Sequence, residues 1–273
     1  MQKGSSITIA VVHGVIELGK SEQNIRKFEE VLERARIEGV EIILLPAMIN
    51  GVPIFDLMKN LRIKKTAETI PGKTSEQLAV LANKYGLHIV VGPILERRGS
   101  KLYRSAFIVE PSINLKAVIS QILTPLGYGQ GSSISIVTIK NTNIGVLIAE
   151  DIYLPELSLL MRIVGVDIVV FYPYPYTSSD KVMAVLKTRA LELKTIVICV
   201  GCTIKRKDEE IAFIPTVIVD ENGVVVHEIL DKSTKMIKIT IPTNHKRNSL
   251  TLNSAHRKLL KFLNKTLAYY IRG

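Results

Sequence analysis

The first 46 residues carry the pattern that narrows the possible folds most: a strand, an amphipathic helix and a second strand in immediate succession. Residues 6–12 alternate and are rich in β-branched side chains, which favours a strand. Residues 22–38 place apolar side chains on one helical face, and Gly39 marks the end of that helix. Residues 40–45 form an unbroken apolar run before Pro46, as expected of a fully buried strand. This order predicts helices packed on a sheet.

The same alternation continues almost to the end of the chain. Three further segments have the apolar periodicity of helices, namely 74–85, 154–164 and 182–193. Strand patterns occupy 87–91, 102–110, 115–123, 135–139, 144–149, 167–172, 195–201, 216–219, 224–229 and 236–241. No linker interrupts this pattern, so we expect one α/β domain over residues 1–243, followed by a separate tail over residues 244–273.

Composition limits the class of protein without naming a function. A hydrophobic content of 47% over 273 residues supports one large buried core. The chain has no apolar stretch of transmembrane length, and its first residues lack the layout of a secretion signal, so we expect a cytoplasmic protein. Cys199 and Cys202 are its two cysteines, so a disulfide framework is not expected.

Five short blocks occur in an informative order. They are 42–46 (IILLP), 70–72 (IPG), 145–151 (GVLIAED), 154–157 (LPEL) and 189–192 (RALE). Together they resemble the blocks of the nitrilase superfamily of amidases and nitrilases, and the resemblance extends over about residues 7–242. It implies an α-β-β-α sandwich. It also implies a homo-oligomer, since two such sandwiches usually pair with their sheet and helix layers continuing across the interface.

The resemblance also implies three catalytic positions, and this chain departs from the family at each of them. In the family a cysteine thiolate attacks the carbon, a glutamate moves protons, and a lysine stabilises the oxyanion. Here Ala47 follows the strand-ending proline, Gln121 stands at the lysine position, and Ala149 stands at the cysteine position. A second acid, expected shortly after the lysine, is missing from residues 124–133. We therefore expect a chain without the catalytic Glu-Lys-Cys triad.

The residues around these positions define a predicted remnant pocket. Its members are Glu150, Asp151, Tyr172, Tyr174 and Tyr176. Strand alternation points Glu150 away from the side of Ala149, so a surface or helix-capping position is expected for it. Asp151 is interpreted as a structural acid near the start of the next helix. The tyrosines either line a cavity and stack on a ligand, or form a rigid loop with half-buried rings.

Other reactive residues give weaker signals. The spacing of Cys199 and Cys202 favours two buried thiols over a redox pair or a replacement nucleophile at Cys202. Lys116 lies an odd number of residues before Gln121 and is expected to face the other way. The five histidines have no metal-ligand spacing, so neither a metal nor a cofactor is predicted.

The tail holds seven of the 36 Lys and Arg residues and none of the 25 Asp and Glu residues. Residues 251–271 have the pattern of an amphipathic helix, with leucines on one face and cations on the other. Either this helix packs on the domain or on a dimer partner, or it attracts nucleic acid or an acidic membrane surface. The candidate nucleic-acid-binding residues are Lys246, Arg247, Arg257, Lys258, Lys261, Lys265 and Arg272.

Two classes of function follow from the sequence. The leading hypothesis is a catalytically inactive protein of this fold that acts by binding or assembly, with an unknown partner. In one version of it the basic tail binds DNA or RNA. A small-molecule sensor that uses the remnant pocket is a variant of that idea. The opposed hypothesis is a carbon–nitrogen hydrolase with relocated catalytic groups.

Overall fold

The computed structural model describes residues 6–55, 65–133, 135–175, 179–207, 209–242 and 254–271. The described helices are α1 (Ser21–Ile37), α2 (Lys73–Tyr85), α3 (Pro155–Val164), α4 (Ser179–Leu193) and α5 (Ser254–Ile271). The strands are β1 (Ser6–Glu17), β2 (Ile42–Leu45), β3 (His88–Arg98), β4 (Lys101–Val109), β5 (Leu115–Ser120), β6 (Ile136–Ile139), β7 (Thr142–Ile148), β8 (Ile168–Tyr172), β9 (Ile196–Cys199), β10 (Cys202–Arg206), β11 (Glu209–Ile214), β12 (Thr216–Val219), β13 (Val225–Ile229) and β14 (Lys235–Pro242).

The strands form two sheets that each contain a parallel centre. The first sheet has the order β11-β10-β1-β2-β3-β4-β5, and β14 also pairs with β1. The second has the order β13-β12-β9-β8-β7-β6. Strands β1, β2 and β3 run parallel in the first sheet, as do β7, β8 and β9 in the second.

Three separate hydrophobic cores define four layers. On β1, Ile9 and Val11 face the core between the two sheets, whereas Ala10 and Val12 face the core under α1 and α2. The third core lies between the second sheet and helices α3 and α4, where Met161 and Leu186 are fully buried. These layers are helix, sheet, sheet and helix in that order, which confirms the predicted α-β-β-α sandwich.

Strands β10 and β11 are the main elements that the sequence pattern did not predict. They pair with each other and extend the first sheet, because β10 runs parallel to the second half of β1. Polar residues such as Lys205 and Glu209 interrupt the apolar alternation there, so the strand signal is weak. Tertiary pairing with β1 compensates for the weak local preference.

No described helix is both long enough and apolar enough to cross a membrane. Helix α5 is 18 residues long, but its sequence interleaves leucines with Lys and Arg.

Candidate active site and its buried charges

Ala47 follows β2 at the carboxyl end of the first sheet. It is buried, and the next residue, Met48, has a positive φ of 59° and donates its backbone N–H to the Pro93 carbonyl at 3.0 Å. A Cβ at Gly92 would stand 2.5 Å from the Ala47 nitrogen and 2.7 Å from the Tyr172 ring. Gly92 therefore allows Ala47 of the first sheet to approach Tyr172 of the second.

Ala149 follows β7 and begins a 3-10 helix, Ala149–Tyr153. Its φ is +50°, which is uncommon for a residue other than glycine and costs on the order of 1 kcal/mol. Ile148, the residue before it, pairs with Tyr172 in the second sheet. Ala47 and Ala149 therefore both lie near Tyr172, at the same end of the sandwich.

Gln121 follows β5 and has no exposed surface. Its side-chain nitrogen donates to the Leu123 carbonyl at 2.6 Å and to the Glu150 carboxylate at 2.5 Å. Its side-chain oxygen accepts a hydrogen bond from Arg104 at 3.2 Å. Gln121 is thus joined to the residue that follows Ala149, and all three predicted catalytic positions lie at one end of the two sheets.

The position of Glu150 differs from the strand-based expectation. The chain leaves the strand at Ile148, and the 3-10 helix ends the alternation of side chains from that residue onward. As a result the Glu150 carboxylate turns towards Gln121 instead of away from the site, while about 35% of its side chain stays exposed.

Asp151 connects the turn after β7 to the segment that follows Gln121. Its carboxylate accepts backbone hydrogen bonds from Ile122 at 3.0 Å and from Leu123 at 2.7 Å. Burial raises the pKa of Asp151 to about 6, because these hydrogen bonds only partly offset the loss of water around the charge. Asp151 therefore holds the segment after Gln121 against the turn after β7.

Arg104 is the residue of this site that the sequence analysis missed. Its guanidinium donates to the Ile54 carbonyl at 3.0 Å and lies 3.6 Å from the Glu150 carboxylate, with only 3% of the side chain exposed. It also stacks over two rings, with centroid distances of 4.4 Å to Tyr128 and 5.1 Å to Tyr174. The site thus holds a buried cation, supplied by the strand next to the one that leads to Gln121.

A sequence signal for Arg104 did exist. On β4, Ala106 and Ile108 belong to the core between the sheets, and Arg104 continues the same inward face. A charged residue at an inward position of a strand is a candidate functional residue, because an unpaired buried charge is costly.

The three tyrosines of the predicted remnant pocket have different environments. Tyr172 is fully buried instead of half-buried, because it is the last residue of β8 and packs between the sheets. Burial raises its pKa. Tyr174 is half-buried and meets Phe55 edge to face at 6.5 Å. Tyr176 lies outside the described residues.

Neither cysteine is placed to act as a nucleophile. Cys199 and Cys202 are free and buried, which confirms the expectation of two buried thiols. They lie in two different cores, on the helix-covered sides of the two sheets. Burial raises both thiol pKa values, that of Cys202 to about 12, so almost none of it is thiolate near neutral pH.

The other residues considered from the sequence lie away from the site. Lys116 pairs with Glu110 at 2.7 Å near the surface. His13 is buried between two threonines, with contacts of 3.1 Å to Thr203 and to Thr216. In the part of the chain that the structure describes, no group of three His, Cys, Asp or Glu residues could hold a metal ion.

Helix α5 carries the described part of the predicted basic surface. Arg257, Lys258, Lys261 and Lys265 are all exposed on it. Lys246, Arg247 and Arg272 lie outside the described residues. The apolar residues Leu259 and Phe262 are also exposed, and Leu263 lines a groove of about 420 Å³ beside α3.

Solved structures of other proteins share the fold of this chain. A Saccharomyces cerevisiae protein from branch 10 of the nitrilase superfamily superposes with a TM-score of 0.75 at 18% identity, covering 92% of this chain and 97% of the other. A cysteine-to-alanine mutant of an amidase from Nesterenkonia AN1 gives a TM-score of 0.73 at 15% identity, covering 94% and 98%. These likenesses establish the shared fold.

Sequence comparison gives the family. The chain is 25% identical to a 2-oxoglutaramate amidase from Bacillus subtilis over 228 residues, which are 81% of this chain and 85% of that protein. It is 26% identical to an omega-amidase from Danio rerio over 188 residues, but this match spans only 63% of the length of that relative. The sequence profile of the carbon–nitrogen hydrolase family matches residues 8–247. The chain therefore belongs to the carbon–nitrogen hydrolase family.

Proposed function

We propose that this chain is a member of its family that has lost hydrolysis and acts by binding. The observation that carries the proposal is the convergence of Ala47, Gln121 and Ala149 at one end of the sandwich. Alanine offers neither a nucleophile nor a proton acceptor. Gln121 has no charge, and its amide group is already hydrogen-bonded on both sides. Each residue type needed for the covalent route is thus replaced.

Buried thiols elsewhere do not replace the missing nucleophile. Cys199 and Cys202 lie outside the core that contains Ala149, and their raised pKa values keep them protonated. This supports the loss of covalent catalysis over its relocation.

One observation favours the alternative of a hydrolase with relocated groups. Arg104 and Glu150 restore one cation and one carboxylate beside Gln121. A carboxylate can activate water directly, and a guanidinium can stabilise an oxyanion. Such a route would need no cysteine, so the missing nucleophile does not exclude it. The parent protein is therefore assayed directly for amide hydrolysis.

The test restores the missing groups. The variant Ala47→Glu/Gln121→Lys/Ala149→Cys is compared with the parent for ammonia release from small aliphatic amides. Because Gln121 lies 3.2 Å from Arg104, a lysine there would meet a guanidinium, so a fourth change, Arg104→Gln, is included in a second variant. We expect no release by the parent and measurable release by the fourfold variant. Release by the parent that disappears in Glu150→Gln would instead establish the relocated hydrolase.

The exposed cations of α5 support a second binding activity, towards nucleic acid. Arg257, Lys258, Lys261 and Lys265 lie along one helix that contains no acidic residue. We propose that this surface contacts the phosphate backbone without sequence preference, which makes its affinity depend on salt. Duplex DNA affinity over a salt series, with and without charge-removing changes on α5, tests this activity separately from the remnant pocket.

Self-association is the third element of the proposed function. Helices α3 and α4 expose the apolar residues Leu159, Leu160, Val164 and Leu191. A face of this kind, next to the groove at Leu263, supports a homo-oligomer that covers it. Light scattering of the parent and of Leu160→Glu measures the assembly, and an unchanged mass in the variant would contradict the use of this face.

A further inference from the structure

The guanidinium of Arg104 is a buried charge without a hydrogen-bonded ionic partner among the described residues. Its two described hydrogen bonds go to neutral oxygens, those of Ile54 at 3.0 Å and Gln121 at 3.2 Å. The nearest described carboxylate, that of Glu150, stands 3.6 Å away, which is too far for a hydrogen bond. Buried charges are normally both paired and hydrogen-bonded. The cation therefore retains attraction for a better-placed anion.

Arg104 and Glu150 differ in how freely each can leave the pair. The Arg104 side chain is 3% exposed and lies against the rings of Tyr128 and Tyr174, which hold it away from water. The Glu150 side chain is 35% exposed, at the beginning of a short 3-10 helix. Glu150 can turn into solvent at little desolvation cost, whereas Arg104 cannot. The site has a fixed cation and a replaceable anion.

Gln121 places a second hydrogen-bond donor beside the Glu150 carboxylate. Its side-chain nitrogen donates to the Glu150 oxygen that also lies nearest to Arg104. One carboxylate oxygen is thus approached by an amide N–H and by a guanidinium, an arrangement that suits a carboxylate. Glu150 occupies this position as a carboxylate from the chain itself.

We propose that Arg104 and Gln121 form a binding site for the carboxylate of a small organic acid, and that Glu150 is an internal carboxylate that the ligand displaces. This assignment rests on the proposed function, because it names the ligand class of the remnant pocket. The tyrosine rings beside Arg104 provide the wall for the organic part of the ligand.

Displacement of an internal competitor has a distinctive consequence. The apparent affinity for the ligand is reduced by the fraction of molecules in which Glu150 occupies the site. Removing that carboxylate should therefore strengthen binding, by about tenfold if the site is free in roughly one molecule in ten. A residue that only helps to hold a ligand would show the opposite effect when removed.

The experiment measures binding of propionate and of its neutral analogue propionamide by calorimetry at constant ionic strength. We expect propionate to bind the parent, Glu150→Gln to bind it about tenfold more tightly, and Arg104→Lys to bind it more weakly. Glu156→Gln is the matched control, because Glu156 is an exposed acid on the following helix, and it should bind as the parent does. Propionamide should not bind detectably.

Two results would overturn the assignment. One is equal binding of propionate and propionamide, and the other is binding by Glu150→Gln that is no tighter than binding by the parent. Glu150→Gln changes a partly exposed residue, so the test does not depend on the folding of an Arg104 variant. Ammonia release from propionamide, measured in the same samples, would refute the loss of hydrolysis without bearing on the carboxylate site.

Discussion

Arg104 and helix α5 show two opposite ways in which this chain uses positive charge. Arg104 is enclosed by the Ile54 carbonyl, the Gln121 amide and two tyrosine rings. The four described cations of α5 are exposed, and none forms an ion pair with a described residue: Arg257, Lys258, Lys261 and Lys265. A buried charge acts through geometry over a few ångströms, whereas exposed charges act as a group and are screened by salt. The two regions should therefore respond differently to mutation, pH and salt.

The largest expected difference concerns stability. Arg104→Leu should lower the free energy of unfolding by about 3–5 kcal/mol, because it leaves the buried side-chain oxygen of Gln121 without its Arg104 donor and removes the contacts of the guanidinium with the Tyr128 and Tyr174 rings. Lys261→Gln on α5 should change it by less than about 0.5 kcal/mol. Urea denaturation of both variants checks the contrast. Equal losses of unfolding free energy in the two variants, or a loss below about 1 kcal/mol for Arg104→Leu, would contradict this contrast between the buried and the exposed cations.

Buried groups should also control how stability changes with pH. Burial lowers the pKa of His13 from 6.5 to about 4, so its contribution is present above pH 6.5 and is lost as the pH falls to about 4. The pKa of Asp151 is raised from 3.8 to about 6, so its contribution is present below pH 3.8 and is lost as the pH rises to about 6. The two effects, each about 3 kcal/mol, oppose each other between pH 4 and 6.

Single variants should separate these two effects. In Asp151→Asn, stability should rise with pH from 4 to 6.5 more steeply than in the parent, because the opposing Asp151 contribution is gone and the His13 contribution remains. In His13→Gln, the slope of stability against pH from 4 to 6 should be lower than in the parent, because the His13 contribution is gone and the opposing Asp151 contribution remains. Denaturation curves at a series of pH values give these slopes. Parallel slopes in both variants and the parent would show that neither group titrates as proposed.

The exposed cations should produce the salt dependence. Replacing Arg257, Lys261 and Lys265 with Gln should weaken duplex DNA binding at low salt by about tenfold or more. It should also reduce the slope of log affinity against log salt by about 0.9 for each phosphate that the variant no longer neutralises. Arg104→Lys is the control and should leave the slope unchanged, because that side chain is buried. A slope that stays the same in the α5 variant would contradict a role for this helix in nucleic-acid binding.

The smallest effect is expected at the backbone of the site. Ala149 has a φ of +50°, so Ala149→Gly should raise the free energy of unfolding by about 0.5 kcal/mol once the greater entropy of unfolded glycine is subtracted. Ala106→Gly, in the extended strand β4, should lower it. Calorimetric melting of the two variants measures the difference. Destabilisation of both would show that the conformation at position 149 carries no strain.

The sequence predicted the regular elements well where burial against a core dictates the apolar pattern. Helix α2 was expected at residues 74–85 and is Lys73–Tyr85, followed by Gly86 with a positive φ. Strand β8 was expected at 167–172 and is Ile168–Tyr172. Burial on one side of a segment leaves a periodic pattern of apolar residues, and burial on both sides of a strand leaves a short unbroken apolar run. Strands β10 and β11 lack that signal and depend on pairing with β1.

The candidate site was only partly predictable. The order of the sequence blocks located Ala47, Gln121 and Ala149, because each follows a predicted strand. Glu150 was placed on the wrong side, because strand alternation was extended one residue beyond the strand. Arg104 was missed because its partners Gln121 and Ile54 are 17 and 50 positions away in the chain.

The sequence by itself determined the layer order, the family and the residue types at the three positions that the family resemblance assigns to catalysis. Those properties reside in local periodicity and in short blocks, both of which can be read along the chain. Only the tertiary structure decided which charges meet. Adjacent strand ends bring Arg104 against Gln121, and the 3-10 helix turns Glu150 towards both. Electrostatic interactions depend on distance and burial, and neither is encoded in the spacing of residues along the sequence.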